Sequence, residues 1–355
     1  MNNTEPYQLE RALLIIALIF IIILAVKAMT YIASLILMAL ILTMLTLPAM
    51  NWLKTKGLSD FAAVLVVTVA TCLVILVIFF LTLMSFHSLV TDLPQYQTEL
   101  NTRMADISGL LFSLGLSGSA TTFPTINIGD VMDYAVSGAM SFAEGIMYLF
   151  FAAVTTFFML LETPRIISRI ESAYGKDTGT MQKFGRMTGY VIDFIVVRTE
   201  TNAIHGVLFG SFLGIMGVHG AILWGVLTFL LGYIPYFGLI IAAVPAIFFA
   251  WLQFGIPGAL AVIAAVCVLN IIVENPVYSF LAARKFEMPA LIVILSVIFW
   301  GWLLGIVGMF FAIPFTLFLL LLFESSDDLR WINAMLGVSH LFEEKGHKSG
   351  DTPAT

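Results

Sequence analysis

The stretch FWGWLLGIVGMFFAIPF, residues 299–315, is uncharged and apolar enough to lie in a membrane, yet Gly301, Gly305, Gly308 and Pro314 interrupt it. Glycine and proline weaken a helix interior, so the segment reads as one built to break. It lies within a longer apolar run, 289–323, which as one helix would measure about 52 Å against a hydrocarbon core of about 30 Å. That is too long for one span and too short for two spans and a loop. A second run, 221–252, has the same problem at about 48 Å, with its breaker GYIPYFG at 232–238. In each, a glycine precedes a proline at similar spacing, Gly238 to Pro245 and Gly308 to Pro314. The expectation is two re-entrant helical hairpins, and they are the only candidate for an internal repeat.

The remainder fits that reading. The chain has 355 residues, 60% of them hydrophobic and 11% charged, too little polar sequence to cover a soluble core. An all-α polytopic membrane protein is expected, with about six full spans at 12–29, 32–50, 61–86, 141–161, 199–218 and 258–275 beside the two hairpins. The first run lacks a small-residue cleavage site and is expected to be retained. The net charge of −6 without a basic patch excludes nucleic acid as a partner. Cys72 and Cys267 lie in apolar runs, as small hydrophobes rather than a disulfide or metal pair. No phosphate-binding loop, zinc-protease motif or hydrolytic triad is present, so neither an enzyme nor a resident cofactor or metal is expected.

Fourteen of the 16 Lys and Arg residues fall in 1–11, 51–60, 162–198, 276–288 and 324–355, all but Lys27 and Arg103. By the positive-inside rule these segments, and both termini, are cytoplasmic. The hairpins then open to opposite sides, the first outward and the second inward. The division expected is 1–86 as three scaffold spans, 87–140 as an extracytoplasmic segment, 141–161 as the fourth span and 162–198 as cytoplasmic helices. A transport region at 199–323 and a polar tail at 324–355 complete it. Lys27, near the outer end of the first span, is expected to snorkel.

Opposed broken helices point to a transport site, because backbone groups freed at a break need partners. Polar residues at membrane depth are the second pointer. NIIVEN places Asn270 and Glu274 four residues apart on one helix face, followed by Asn275. Glu274 has two readings of equal weight: a ligand for cation, proton or solute, or an interfacial charge paired with Arg284 or Lys285. In YVIDFIVVRTETNAIHG, Asp193, Val197, Thr201 and His205 share one face, and Arg198 and Asn202 another. Asp193, Glu200 and His205 could form a proton relay with Arg198 beside it; interfacial anchoring of Asp193 and Arg198 and a packing role for His205 are the more ordinary readings. Gly206, Gly210 and Gly214 read as a helix-packing face. The candidate solute or ion contacts are Asn270, Glu274, Asn275, Tyr233, Pro235, Tyr236, Gly238, Trp300, Gly305, Gly308 and Pro314, around the breaks at 235–238 and 305–308.

YIPYFGLIIAAVPAI (233–247), LSVIFWGWLLGIVGMFFAIPFTL (295–317), the Asn-to-Glu-Asn pattern at 270–275 and GRMTGYVIDFIVVR (185–198) resemble the autoinducer-2 exporter family of bacterial permeases. The order of segments matches over nearly the whole chain, and WGWLLGIVGM is the most specific part. The resemblance implies a bacterial inner-membrane homo-oligomer, a pentamer being one form. It would export or exchange small solutes by moving a transport domain against a scaffold. For relatives it implies autoinducer-2 transport or Na⁺(Li⁺)/H⁺ antiport. The chain departs from the pattern at Gly232 and Tyr236, where exporter-like members carry Asn, and at Tyr278, Ser279 and Ala283. Three functions stand: exporter of a small polar solute, monovalent cation/proton antiporter through Glu274, and a membrane organiser that does not transport.

Overall fold

The computed structural model describes residues 5–92, 94, 96–113, 128–174, 179–274, 288–326 and 329–338. Among these the regular structure is entirely helical: α1 (Glu5–Ala28), α2 (Thr30–Thr55), α3 (Asp60–Asp92), α4 (Tyr96–Ser113), α5 (Ile128–Tyr174), α6 (Gly179–Met216), α7 (Ala221–Leu231), α8 (Phe237–Ile272), α9 (Ala290–Leu304), α10 (Ile306–Phe310), α11 (Ala312–Ser325) and α12 (Arg330–Met335). Four stretches are long and apolar enough to cross a membrane: Thr30–Thr55, Asp60–Asp92, Met147–Ile166 and Phe237–Ile272. Leu13–Ala28, Ala221–Leu231, Ala290–Leu304 and Ala312–Glu324 are shorter apolar helices. The expected span at 199–218 falls mostly in α6 but is not among the four, since Glu200, Asn202 and His205 dilute its apolar character. The expected span at 258–275 is the second half of α8, which bends at Gly255 (φ 70°, ψ −160°), a conformation open essentially to glycine alone.

The chain divides into two compact units, Ala39–Pro164 with Val196–Ala283, and Met1–Met38 with Arg165–Ile195 and Arg284–Thr355. In the first, a buried cluster draws Leu89 of α3, Tyr96 and Leu100 of α4, Phe209 and Leu213 of α6, Trp224 of α7, and Phe249, Ala250 and Val262 of α8 into one core. Met50, Ala63, Val64, Val67 and Leu160 form a smaller core among α2, α3 and α5. The glycine face of α6 packs as expected. A Cβ on Gly206 would lie 2.7 Å from the Gly225 carbonyl oxygen, and one on Gly225 2.8 Å from that of Gly206, so α6 and α7 cross backbone to backbone.

Between α7 and α8 the chain breaks at 232–236, within the predicted breaker. Pro235 C=O accepts from the Phe237 N–H at 2.7 Å around Tyr236, which sits at φ 63°, ψ −42°. That is the rare γ-turn of positive φ, a strained conformation for an aromatic residue. Gly238 lies against the end of α7, where a Cβ would come within 1.8 Å of the Leu231 carbonyl oxygen.

In the other unit the run 289–323 is also broken, and twice. Gly305 (φ 68°, ψ −148°) separates α9 from α10, and Phe311 separates α10 from α11. Gly308 packs on the Trp300 carbonyl, where a Cβ would lie at 1.9 Å, the device seen at Gly238. Lys27 Nζ donates to the Trp302 carbonyl and stands 5.5 Å from the Trp302 ring centroid, while Thr30 Oγ1 donates to the Leu303 carbonyl at 3.0 Å. The last turn of α9 has carbonyls with no intrahelical donor, and these two side chains take up a pair of them.

Candidate functional site

The polar centre of the first unit is assembled by α6, the α7–α8 break and the end of α8. Arg198 Nη1 donates to both carboxylate oxygens of Glu274, at 2.9 and 3.0 Å. Its Nε and Nη2 donate to the Gly232 carbonyl at 3.1 and 2.6 Å. One guanidinium thus binds a carboxylate in two-oxygen fashion and caps the carbonyl that ends α7, where a cation also complements the helix dipole. The Arg198 side chain is 14% exposed and that of Glu274 35%. Thr199 Oγ1 and Tyr233 OH hydrogen-bond at 2.6 Å beside this pair. Asn202 and His205 continue the inward face of α6, 2% and 5% exposed. Gly232 admits Asn202 closely, since a Cβ there would lie 2.7 Å from Asn202 Oδ1.

The structure therefore joins Glu274, Arg198 and Tyr233, with Pro235 buried in the break and Tyr236 exposed. It does not join Asn270 to Glu274. Asn270 is exposed, whereas Glu274 is half-buried against Arg198. Asp193 and Glu200 are exposed, whereas His205 is buried. Asn275, Arg284 and Lys285, like Tyr278, Ser279 and Ala283, lie outside the described residues. In the other unit Trp300 Nε1 donates to Thr316 Oγ1 at 2.9 Å and Thr316 to Ser296 Oγ at 2.8 Å. The polar tip of Trp300 is thus occupied within its own helix pair, with Gly305, Gly308 and buried Pro314 shaping the turn beside it. Pro314 falls in the first turn of α11, where a missing N–H leaves no intrahelical bond unmade.

Sequence reasoning missed a second cluster. Gln253 Nε2 donates to Tyr96 OH at 2.7 Å, and Tyr96 OH and His219 Nδ1 are 2.6 Å apart. With its oxygen accepting from Gln253, the Tyr96 hydroxyl donates to Nδ1. Gln253 Oε1 accepts from the His219 N–H at 3.2 Å, and Trp224 Nε1 donates to the His219 carbonyl at 2.9 Å. These bonds fasten α4 onto the α7–α8 pair. Burial raises the Tyr96 pKa above its ordinary value; the Gln253 bond opposes this, and the charges of Asp92 and Glu99 add to it. Only the aromatic start of α4, with His219 and Gln253 at the helix ends, could have signalled the cluster.

Several apolar helices, two of their runs broken, and a part-buried ion pair at one break fit a multi-pass membrane protein of the solute-transporter class. Comparison with known sequences narrows this. The profile described as AI-2E family transporter matches residues 13–326, so the chain belongs to that family. A Haemophilus influenzae protein provisionally named as a transport protein is 30% identical over 340 residues, 93% of this chain and 97% of its own. The AI-2 transport protein TqsA of Escherichia coli is 28% identical over 243 residues, 68% of this chain and 71% of its own. YhhT of Escherichia coli, also provisionally named as a transport protein, is 24% identical over 318 residues, 89% and 91% of the two chains.

Proposed function

We propose that this chain is a secondary transporter of the bacterial inner membrane that exports a small polar solute of the autoinducer-2 type. The observation that carries the reading is the α7–α8 break, with its terminal carbonyl held by Arg198, which is itself paired with Glu274. Irregular backbone in an apolar protein is tolerated where it lines a cavity or is buried in protein, and transporters place their sites at such interruptions. Membership of the AI-2E family and similarity to TqsA support the solute type. In this reading 221–252 and 289–323 are re-entrant hairpins, both termini are cytoplasmic, the hairpins move as an elevator against the first three spans, and the chain acts as a homo-oligomer. Cation/proton antiport finds no support in the site, because both oxygens of Glu274 already receive Arg198.

The test is expression in an Escherichia coli strain lacking TqsA, with autoinducer-2 measured inside the cells and in the medium. The expected result is a lower cellular level with the wild-type chain, lost in Arg198→Ala. An unchanged cellular level with inserted, folded protein removes the export reading.

A further inference from the structure

We infer that Asn202 and His205 are the solute-recognising pair of this site and that the solute they take is uncharged and rich in hydroxyl groups. The inference rests on the transport reading above and names its substrate class. Both side chains are more than nine-tenths buried, yet Asn202 Nδ2 and His205 Nε2 have no hydrogen-bond partner among the described residues. Buried polar groups in folded proteins are nearly always paired, so two orphans at one place call for a missing partner. They stand three residues apart on α6, a turn beyond Arg198, and their burial puts both on its inward side. Asn202 abuts Gly232 at the end of α7, and His205 lies within electrostatic reach of Arg198 and Glu274.

The charge balance selects the ligand. The guanidinium of Arg198 is matched by the carboxylate of Glu274, and its Nε and Nη2 also donate to the Gly232 carbonyl. Glu200, the nearest other charge in sequence, is exposed. The site therefore offers no spare charge to an ion, which would be buried uncompensated. What it offers is an amide donor and a ring nitrogen that donates or accepts according to tautomer. A hydroxyl is both acceptor and donor, so a polyhydroxylated neutral molecule satisfies both groups.

The experiment uses the full chain purified in detergent, with thermal unfolding read for wild type, Asn202→Leu and His205→Leu. The probes are ribose as the neutral polyol, lactate as the anion and choline as the cation. Without probe, both variants should unfold at or above the wild-type temperature, because an unmet polar group is replaced by an apolar one of similar size. Ribose alone should raise the wild-type Tm, by about 2 °C or more at saturating probe, and neither variant should respond. A probe-free Tm that falls in both variants makes the pair structural and overturns the inference, as does loss of folding in these and in Asn202→Ala and His205→Ala. It is likewise overturned by variants that keep the ribose shift, by a response to lactate or choline, or by no wild-type response to ribose. Ribose binding without export of autoinducer-2 would remove the export reading and leave this one. Export that persists unchanged in both leucine variants would do the reverse.

Discussion

At the scale of single residues, Arg198 binds two partners that have no other strong donor among the described residues. Removing Glu274 alone strands a largely buried cation, the costly half of breaking an ion pair. Glu274→Gln should therefore lower stability by about 1–3 kcal/mol, less than for a fully buried pair because Glu274 is 35% exposed. Adding Arg198→Gln should recover part of that loss, and a double-mutant cycle of thermal unfolding measures the coupling. Tyr236 makes the opposite prediction. Its positive φ stores about 1–3 kcal/mol of strain, more than the roughly 0.5–1 kcal/mol that glycine costs in chain entropy. Tyr236→Gly should raise the unfolding temperature, and a fall would show that the ring's packing outweighs the strain. Neither residue's role was legible beforehand. Arg198 and Glu274 are 76 residues apart, and Arg284 and Lys285 offered nearer partners on paper. Asn202 was placed on the Arg198 face, but nothing local indicated that its amide would be buried without a partner.

Helices and their joints were more legible, because glycine and proline write backbone freedom directly into the sequence. The breaks at 232–236 and at Gly305 fall where GYIPYFG and GWLLGIVG place them, and the Gly206–Gly210 face packs as its four-residue spacing predicts. What spacing could not supply is the donors at the freed carbonyls, since these come from distant helices: Arg198 of α6 for Gly232, and Lys27 with Thr30 for the end of α9. The second interruption at Phe311 has no such sequence signal. The docking of α4 was also hidden, and it carries a pH dependence. The folded-state pKa of Tyr96 lies above its ordinary value of 10.0, so the folded state favours the neutral phenol. That contribution is complete below pH 10 and is lost as pH rises from there through the folded pKa. Hydrogen exchange of α4 amides should therefore accelerate above about pH 10, and a Tyr96→Phe chain, exchanging faster at neutral pH, should lack that added step.

For the whole molecule, composition and run lengths disclosed a helical membrane protein, and family membership carries that to a transporter. The division into two compact units was not foreseen, because each gathers pieces far apart in the chain. The Arg198–Glu274 pair has a consequence for energetics at the level of the cell. A voltage of 100 mV does work of about 2.3 kcal/mol on one charge carried across the bilayer, but none on an ion pair displaced as a unit. Flux of a neutral solute through such a site should be the same in proteoliposomes with and without a potassium diffusion potential set by valinomycin. Glu274→Gln, which leaves Arg198 unbalanced, should make any remaining flux respond to voltage. A wild-type flux that follows the imposed potential would require a further charge to travel with the solute. If a neutral solute crosses with the pair intact, the membrane potential should neither drive nor oppose its transport, and the solute's own gradient should set the direction.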